Sequence, residues 1–495
     1  MTRYKWLFVS LVLVTFSLHA QEPFPGFEEY ARQAMKDWEV PGFAIAVVKD
    51  DKVIYAKGFG VRKLGESAPV DEKTIFAVAS TTKAMTAACL GMLVDEKKIS
   101  WDDPAIKYLK DFQLYDPYVT RELTVRDLLT HRSGLERGDL LWYSSPYNRE
   151  EVLTRIRFLK PAWSFRSRYG YQNIMYLAAG QVIQSVTGKP WEEFIKERLF
   201  SPLGMVSSSA SQSALRGVEN VATPHASIDK KLQPRDWVDI DNIGPAGSVN
   251  SNVLDMAQWI RLNLSKGVYE GKRVLSEEVV KEMQTPQTLQ RLDSLTQVWR
   301  PSTHFVAYGL GWGLSDYLGN IVVQHSGAIH GMRARVVLLP EIQIGFVILM
   351  NSPRELFHAA LAYRIIDHYL GAEPRDWSTD YLKFQKEQTD KADAEEKKRN
   401  DERVKGTKPS MSLDQYTGVY ENEMYGELKV VLEKGKLVIQ FYPTFVGDAT
   451  HWHFDTFQIA WRDRTLGKEF MTFILNSRGK VDLLKWDEVA EFKKK

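Results

Sequence analysis

The sequence predicts an α+β protein: one sheet flanked by helices, its strands drawn from both ends of residues 25–370, followed by a small antiparallel β-barrel. Three observations carry this. Two β-like runs lie near the start of that segment and four lie at its end, from Tyr308 on, so one sheet must collect strands distant in sequence. Helical signals fill the roughly two hundred residues between them. After Pro409 the pattern changes to short strands separated by turns.

Taken in order, the first 20 residues stand apart. Arg3 and Lys5 precede the apolar run WLFVSLVLVTFSL, and LHA ends in the small residue Ala20. That is the layout of a secretory signal peptide cut between Ala20 and Gln21. The apolar run, 13 residues long, falls short of the roughly 20 that a membrane span needs. The expectation is an exported chain, periplasmic or secreted, with no span in its mature part.

GFAIAVVKDDKVIYAKGFG, residues 42–60, reads as two strands around a turn at Lys49–Lys52. Thr124 opens TVRDLLTHRSG with a cap-like pattern and Gly134 closes it. Ile174 to Val186 is apolar at helical spacing and stops at Gly188, with Pro190 beyond. Ser251 is the expected cap of NVLDMAQWIRLNL. The strands YGLGWGL, NIVVQHSG, MRARVVLLP and IGFVILMN are then divided by DYLGN, AIHG and PEIQ. Residues 386–403 hold 13 charges in 18 positions and no apolar face, so they form a solvated helix or a flexible linker. The expected division is a signal peptide at 1–20, a main domain at 21–370, a charged helical linker at 371–411 and the barrel at 412–495.

Composition narrows the chemistry. With 65 basic against 63 acidic residues and no basic tract, nothing favours nucleic acid as a partner. Cys89 is the only cysteine, so an exported chain must hold itself together by its core rather than by an internal disulfide. The chain lacks H-E-x-x-H, a Walker phosphate loop and G-x-S-x-G, the marks of metal hydrolases, nucleotide enzymes and α/β-hydrolases. No cofactor and no metal is expected.

One stretch asks for an explanation. FAVASTTKAMTA, residues 76–87, sets Ser80 and Lys83 among core-like neighbours at the start of an apolar run reaching Val94. At i and i+3 the two side chains share a helix face. Burial disfavours the lysine charge and frees the amine to take a proton from the serine. The helix start also aims free N–H groups at any oxyanion that forms there. A capping serine beside a snorkelling lysine is the plainer alternative. Two further Ser-x-x-Lys copies, Ser227 to Lys230 and Ser477 to Lys480, fall in a polar loop and on a barrel turn.

Two more signals follow: Tyr171-Gln172-Asn173 at the start of the next long apolar helix, and His325-Ser326-Gly327 at the end of a strand. S-x-x-K, then Y-x-N about ninety residues on, then H-x-G some 150 later, resembles the penicillin-binding-protein and class C β-lactamase-like serine hydrolases. VPGFAIAVVKDDKVIYAKGFG, LTVRDLLTHRSGL, AGSVNSNVLDMAQW and YGLGW extend the resemblance over most of 25–370. It implies an antiparallel β-lactamase/DD-peptidase-like sheet flanked by helices. The tail after 411 resembles the lipocalin-like β domain appended to such hydrolases.

Carried over, the resemblance makes Ser80 the nucleophile, Lys83 its base partner, and Tyr171 the residue that shuttles protons with Lys83. Asn173 would hold the substrate amide and the lysine. The oxyanion hole would use the N–H groups of Ser80 and Ala328. His325, Ser326 and Gly327 would form the substrate-binding strand, the glycine leaving room for substrate to lie along it. His325 departs from the Lys-Thr-Gly of β-lactamases and transpeptidases, where the lysine meets an acidic substrate carboxylate. A mostly neutral imidazole there is like the esterase and D-aminopeptidase branches and speaks against efficient β-lactam hydrolysis.

The reading is an exported, cofactor-free serine hydrolase acting through an acyl-enzyme on a peptide or small molecule, most of all peptides carrying D-amino acids or small acyl esters. The rivals are a β-lactamase or D-alanyl-D-alanine carboxypeptidase, and a sensing module without turnover. Oligomeric state stays open. Other residues have plainer readings: His131 meets the last carbonyls of its helix, Arg333 and Arg335 alternate on a solvated strand face rather than receive a carboxylate, and His451, His453 and Asp455 share a strand face as a weak metal candidate.

Overall fold

The structure, a computed structural model, describes residues 22–495, so the signal-peptide expectation lies outside the described residues. The first hairpin is β1 (Gly42–Lys49) and β2 (Lys52–Gly60), paired from Gly42↔Gly60 to Lys49↔Lys52 with one register shift between Val47 and Val48. Its two turn residues, Asp50 and Asp51, both take positive φ, 48° and 59°. That left-handed pair matches the right-handed twist of the strands it joins.

Six more strands return late in the chain: β3 (Thr288–Gln290), β4 (Val306–Tyr308), β5 (Gly313–Tyr317), β6 (Asn320–Ile329), β7 (Met332–Leu339) and β8 (Ile344–Met350). They join the hairpin in one antiparallel sheet of order β2-β1-β8-β7-β6-β5-β4-β3. The three expected turns fall where Leu318-Gly319, His330-Gly331 and Gln343 adopt positive φ. The sequence pattern left out the edge strand β3, and YGLGWGL, expected as one strand, instead holds the turn between β4 and β5.

β1 shows why the sheet is three layers deep. Its alternate residues Phe43, Ile45 and Val47 enter a core with α1 (Phe27–Asp37) and the late helix Glu355–Tyr369, while Ala44, Ala46 and Val48 enter the opposite core. That second core is built with α2 (Thr82–Asp95), α3 (Asn173–Thr187) and α4 (Val253–Leu264). A strand buried on both faces loses its polar alternation, which is what GFAIAVV displays.

The late helix, α5 (Glu355–Tyr369), leads into α6 (Trp377–Asp401). Trp377 and Tyr381 anchor the start of α6, and its charged remainder is exposed. The Thr124 cap forms as expected, with a reciprocal bond to Asp127, but its helix covers only Val125–Leu129. The cap of α4 is Asn252, whose side chain accepts from the Asp255 N–H. Ser251 instead pairs with Phe76 in a two-residue strand, which takes its backbone out of helix geometry.

The C-terminal segment closes an eight-stranded antiparallel barrel, Gly418–Asn422 through Ala490–Lys494. It is packed onto the main domain. Tyr147 Oη donates to the Tyr425 carbonyl at 2.9 Å, and Arg155 Nη1 to that of Glu423 at 3.1 Å. Among the described residues no helix is long and apolar enough to cross a membrane.

Candidate active site

α2 is entered through a tight turn. Ala79 has φ 47°, a left-handed conformation that costs a non-glycine residue about 1–2 kcal/mol. The turn is held on both sides: Val78 N–H donates to the Val249 carbonyl at 3.0 Å, and the Val78 carbonyl accepts from Thr81 Oγ1 at 3.0 Å. Ser80 follows as the partly exposed residue at the head of the buried helix.

Lys83 is wholly buried, and its Nζ reaches Ser80 Oγ at 3.1 Å, Asn173 Oδ1 at 2.8 Å and the Ala246 carbonyl at 2.8 Å. Burial, helped by the nearby Arg137 charge, holds the amine well below the usual lysine range. A neutral amine has two N–H bonds and one lone pair. Asn173 and Ala246 offer only acceptors, so they take the N–H bonds, and the lone pair is left facing Ser80. Tyr171 Oη donates to the same Ser80 oxygen at 2.8 Å. Burial raises the phenol to about 12, so it rests protonated.

α3 begins at Asn173, which puts the first and second motifs side by side. Asn173 Nδ2 donates to Asp139 Oδ1 at 3.1 Å. Both ends of this amide therefore serve the protein, and of its two implied contacts the structure contains the one to the lysine. His131 is fully buried, as a structural residue should be, but not on helix carbonyls. Its own φ of 54° lies past the helix end, its Nδ1 accepts the Gln172 N–H at 3.0 Å, and its ring lies 4.2 Å from that of Tyr171. It holds the Tyr171 segment in place.

His325 bonds to Tyr308 Oη through Nε2 at 2.9 Å and to the Ser326 carbonyl through Nδ1 at 2.6 Å. A carbonyl only accepts, so Nδ1 carries the proton and Nε2 accepts from the tyrosine. Burial pushes this imidazole down to about 3. It is a neutral strut, as expected of its charge, tied to protein partners at both nitrogens. Gly327 also has a packing role. A Cβ there would stand 2.2 Å from the Val78 carbonyl oxygen and 3.1 Å from Ala79 Cβ. The close approach that it permits is that of β6 to the turn bearing Ser80.

Ser80, Tyr171, His325, Ser326 and Ala328 line one cleft of about 370 Å³. The cleft therefore brings together residues from all three motifs; Lys83 and Asn173 stand behind it. A second cavity of about 490 Å³ shares Arg137 and Tyr171 with it and is walled by Tyr425, Glu488 and Val489 of the barrel.

The structure refines the reading of two sets of outlying residues. Arg333 and Arg335 are partly buried because α5 covers their side of the sheet; Arg335 Nε reaches His358 Nδ1 of that helix at 3.4 Å and lines the Ser80 cleft. The barrel histidines do not converge with Asp455: the strand slips register between His451 and His453, and Asp455 accepts from Ser410 and Tyr416. Among the described residues no group of three metal-ligating side chains forms. Sequence reasoning missed the Ala246 carbonyl, Asp139 and Tyr308, although AGSVNS and YGLGW flagged two of their segments.

Comparison with known proteins agrees with this architecture. Residues 402–495 match a domain of unknown function, DUF3471. The chain is 30% identical over 450 residues to the unguisins hydrolase ungD of Aspergillus violaceofuscus, covering 83% of this chain and 77% of the relative. It is 27% identical over 324 residues to penicillin-binding protein 4 of Amycolatopsis lactamdurans, covering 63% and 81%. The octameric penicillin-binding protein homologue from Pyrococcus abyssi shares the fold with a TM-score of 0.64 at 22% identity, over 94% of this chain and 99% of that one. SurE with D-Leu does so with a TM-score of 0.53 at 17% identity, over 95% and 99%. Residues 27–370 match the family described as Beta-lactamase, and it is to this family of serine hydrolases and penicillin-binding proteins that the chain belongs.

Proposed function

We propose that the chain is an exported serine hydrolase that cleaves amide or ester bonds through an acyl-enzyme on Ser80. The observation that carries this reading is the buried Lys83 amine, whose Nζ stands 3.1 Å from Ser80 Oγ and is held from behind at 2.8 Å by both Asn173 Oδ1 and the Ala246 carbonyl. In acylation the Ser80 proton passes to Lys83 as Oγ bonds to the substrate carbonyl carbon. The oxyanion is met by the Ser80 and Ala328 N–H groups. Collapse breaks the scissile bond, and Tyr171, recharged by Lys83, protonates the leaving group. Deacylation repeats the steps with water as nucleophile and returns Ser80.

Substrates are peptides carrying D-amino acids or small acyl esters. A relative named for hydrolysing unguisins and a neighbour of the same fold solved with D-Leu make peptide-like and D-configured compounds the first to test. Arg3, Lys5 and the apolar run before Ala20 support export.

A fluorophosphonate probe should label the protein once, on the peptide holding Ser80, with the exported chain starting at Gln21. Ser80-dependent turnover should be fastest on an ester or aminoacyl anilide among D- and L-aminoacyl anilides, p-nitrophenyl esters and a chromogenic cephalosporin. Labelling at Ser227 or Ser477, or full activity in Ser80→Ala, would sink the mechanism. A cephalosporin as the fastest substrate would favour the β-lactamase reading. Labelling without turnover of any substrate would favour the sensor.

A further inference from the structure

Asp139 belongs to none of the three motifs, yet only the Asn173 side chain separates it from the Lys83 amine. Gly138 turns the chain with φ 61°, and Asp139 opens the one-turn 3-10 helix Asp139–Leu141. Its two oxygens are divided among three donors. Oδ2 accepts from Arg137 Nε at 2.5 Å, while Oδ1 accepts from Trp142 Nε1 at 2.8 Å and from Asn173 Nδ2 at 3.1 Å. Trp142 is fixed in turn, because its carbonyl accepts from Asn242 Nδ2 at 2.9 Å. The carboxylate is thus held from two sides and offers Asn173 a set acceptor.

That acceptor decides which way the Asn173 amide faces. An amide has a donor end and an acceptor end of nearly the same shape, so its partners choose between them. A carboxylate only accepts, which turns Nδ2 towards Asp139 and Oδ1 to the other side. On that side stands Lys83 Nζ, at 2.8 Å. The reversed amide would set Oδ1 against the carboxylate and its N–H groups against the amine. Lys83 could then meet Asn173 only by accepting, which occupies the lone pair that is to take the Ser80 proton. Asp139 lines the cavity beside the barrel but not the Ser80 cleft, so its route to the reaction runs through Asn173.

We infer that Asp139 is a positioning residue of this hydrolase, which orients the Asn173 amide so that its carbonyl holds the Lys83 amine. The inference rests on the serine-hydrolase reading. It gives Asn173 a fixed orientation that the second motif by itself leaves open.

The test is a double-mutant cycle on the full chain, with kcat and KM read on p-nitrophenyl acetate. Asp139→Ala should lower kcat about tenfold, the worth of one hydrogen bond to a charged group, with KM within about twofold. Asp139→Asn keeps an acceptor for Asn173 and should recover most of that loss. In a chain already carrying Asn173→Ala, Asp139→Ala should change kcat by less than about twofold, because its route to Lys83 is gone. A loss that adds in full to that of Asn173→Ala assigns Asp139 to the support of its own loop and overturns the inference. So does an Asp139→Ala kcat within about twofold of wild type, or an Asp139→Asn as slow as Asp139→Ala. Should Asp139→Ala lose its cooperative melt, Asp139→Ser, too short to reach Asn173, takes its place in the cycle. Ester turnover that persists in Ser80→Ala marks failure of the hydrolase mechanism rather than of the positioning role.

Discussion

Gly327→Ala is the substitution that most directly probes how the third motif meets the first. The added methyl would stand 2.2 Å from the Val78 carbonyl oxygen, against the 3.4 Å where ordinary contact begins. The obstacle is backbone rather than the tip of a flexible side chain, so relief requires β6 or the Val78–Ala79 turn to move by roughly 1 Å. Ser80 follows that turn immediately, and Ala328 follows Gly327. The displacement therefore falls on the distance between the nucleophile and the N–H groups proposed to meet its oxyanion. A misplacement of about 1 Å costs a reaction on the order of 100-fold. Overpacking of this kind costs a fold about 1–3 kcal/mol, which a core of this size survives.

The expected result is a fall of about 100-fold in kcat for Ser80-dependent ester hydrolysis, with a cooperative melt retained at a lowered temperature. Steady-state kinetics on p-nitrophenyl acetate and thermal unfolding of the same preparation read both numbers. A variant within about threefold of wild-type kcat would refute the reasoning, because β6 and the turn would then tolerate a separation that the argument holds to be critical.

Two titrations follow from the same site. Lys83 is held well below its ordinary range, so at alkaline pH the folded chain has released a proton that the unfolded chain keeps up to about 10.4. Between those values the unfolded state binds more protons, and stability rises with pH; the melting temperature of wild type should climb relative to Lys83→Met from pH 7 towards pH 10, and a constant difference would mean that the lysine is not held neutral. His325, pushed down to about 3 by burial, is neutral across the working range and owns no step in the rate between pH 5 and 8. His325→Gln should lower kcat through its lost geometry while leaving the apparent pKa of the acid limb in place; a limb displaced by about one unit would assign that step to the histidine after all.

What the sequence discloses about this site is what short-range physics writes into it. Ser80 stood out from Ser227 and Ser477 because only its copy opens an apolar helix, and the structure puts Lys83 in that core. Tyr171 and Asn173 were legible as a pair because a helix start fixes their relation to each other. AGSVNS marked the segment of Ala246 but not its carbonyl, since a backbone acceptor has no residue type, yet that carbonyl is one of the two groups that hold the Lys83 amine from behind. Arg335 was misread for a related reason. Alternation along β7 gives the side of the sheet on which a residue lies but not what covers that side, and the cover, α5, begins some twenty residues later. The barrel is the extreme case: no local pattern tells where a domain beyond a 25-residue helix will come to rest, and here it brings Tyr425 and Glu488 to a cavity shared with Tyr171. The parts of the site that hydrolases with the same three motifs have in common are thus the local ones. The parts outside the three motifs, Arg335 and the barrel wall, are set by contacts between distant segments.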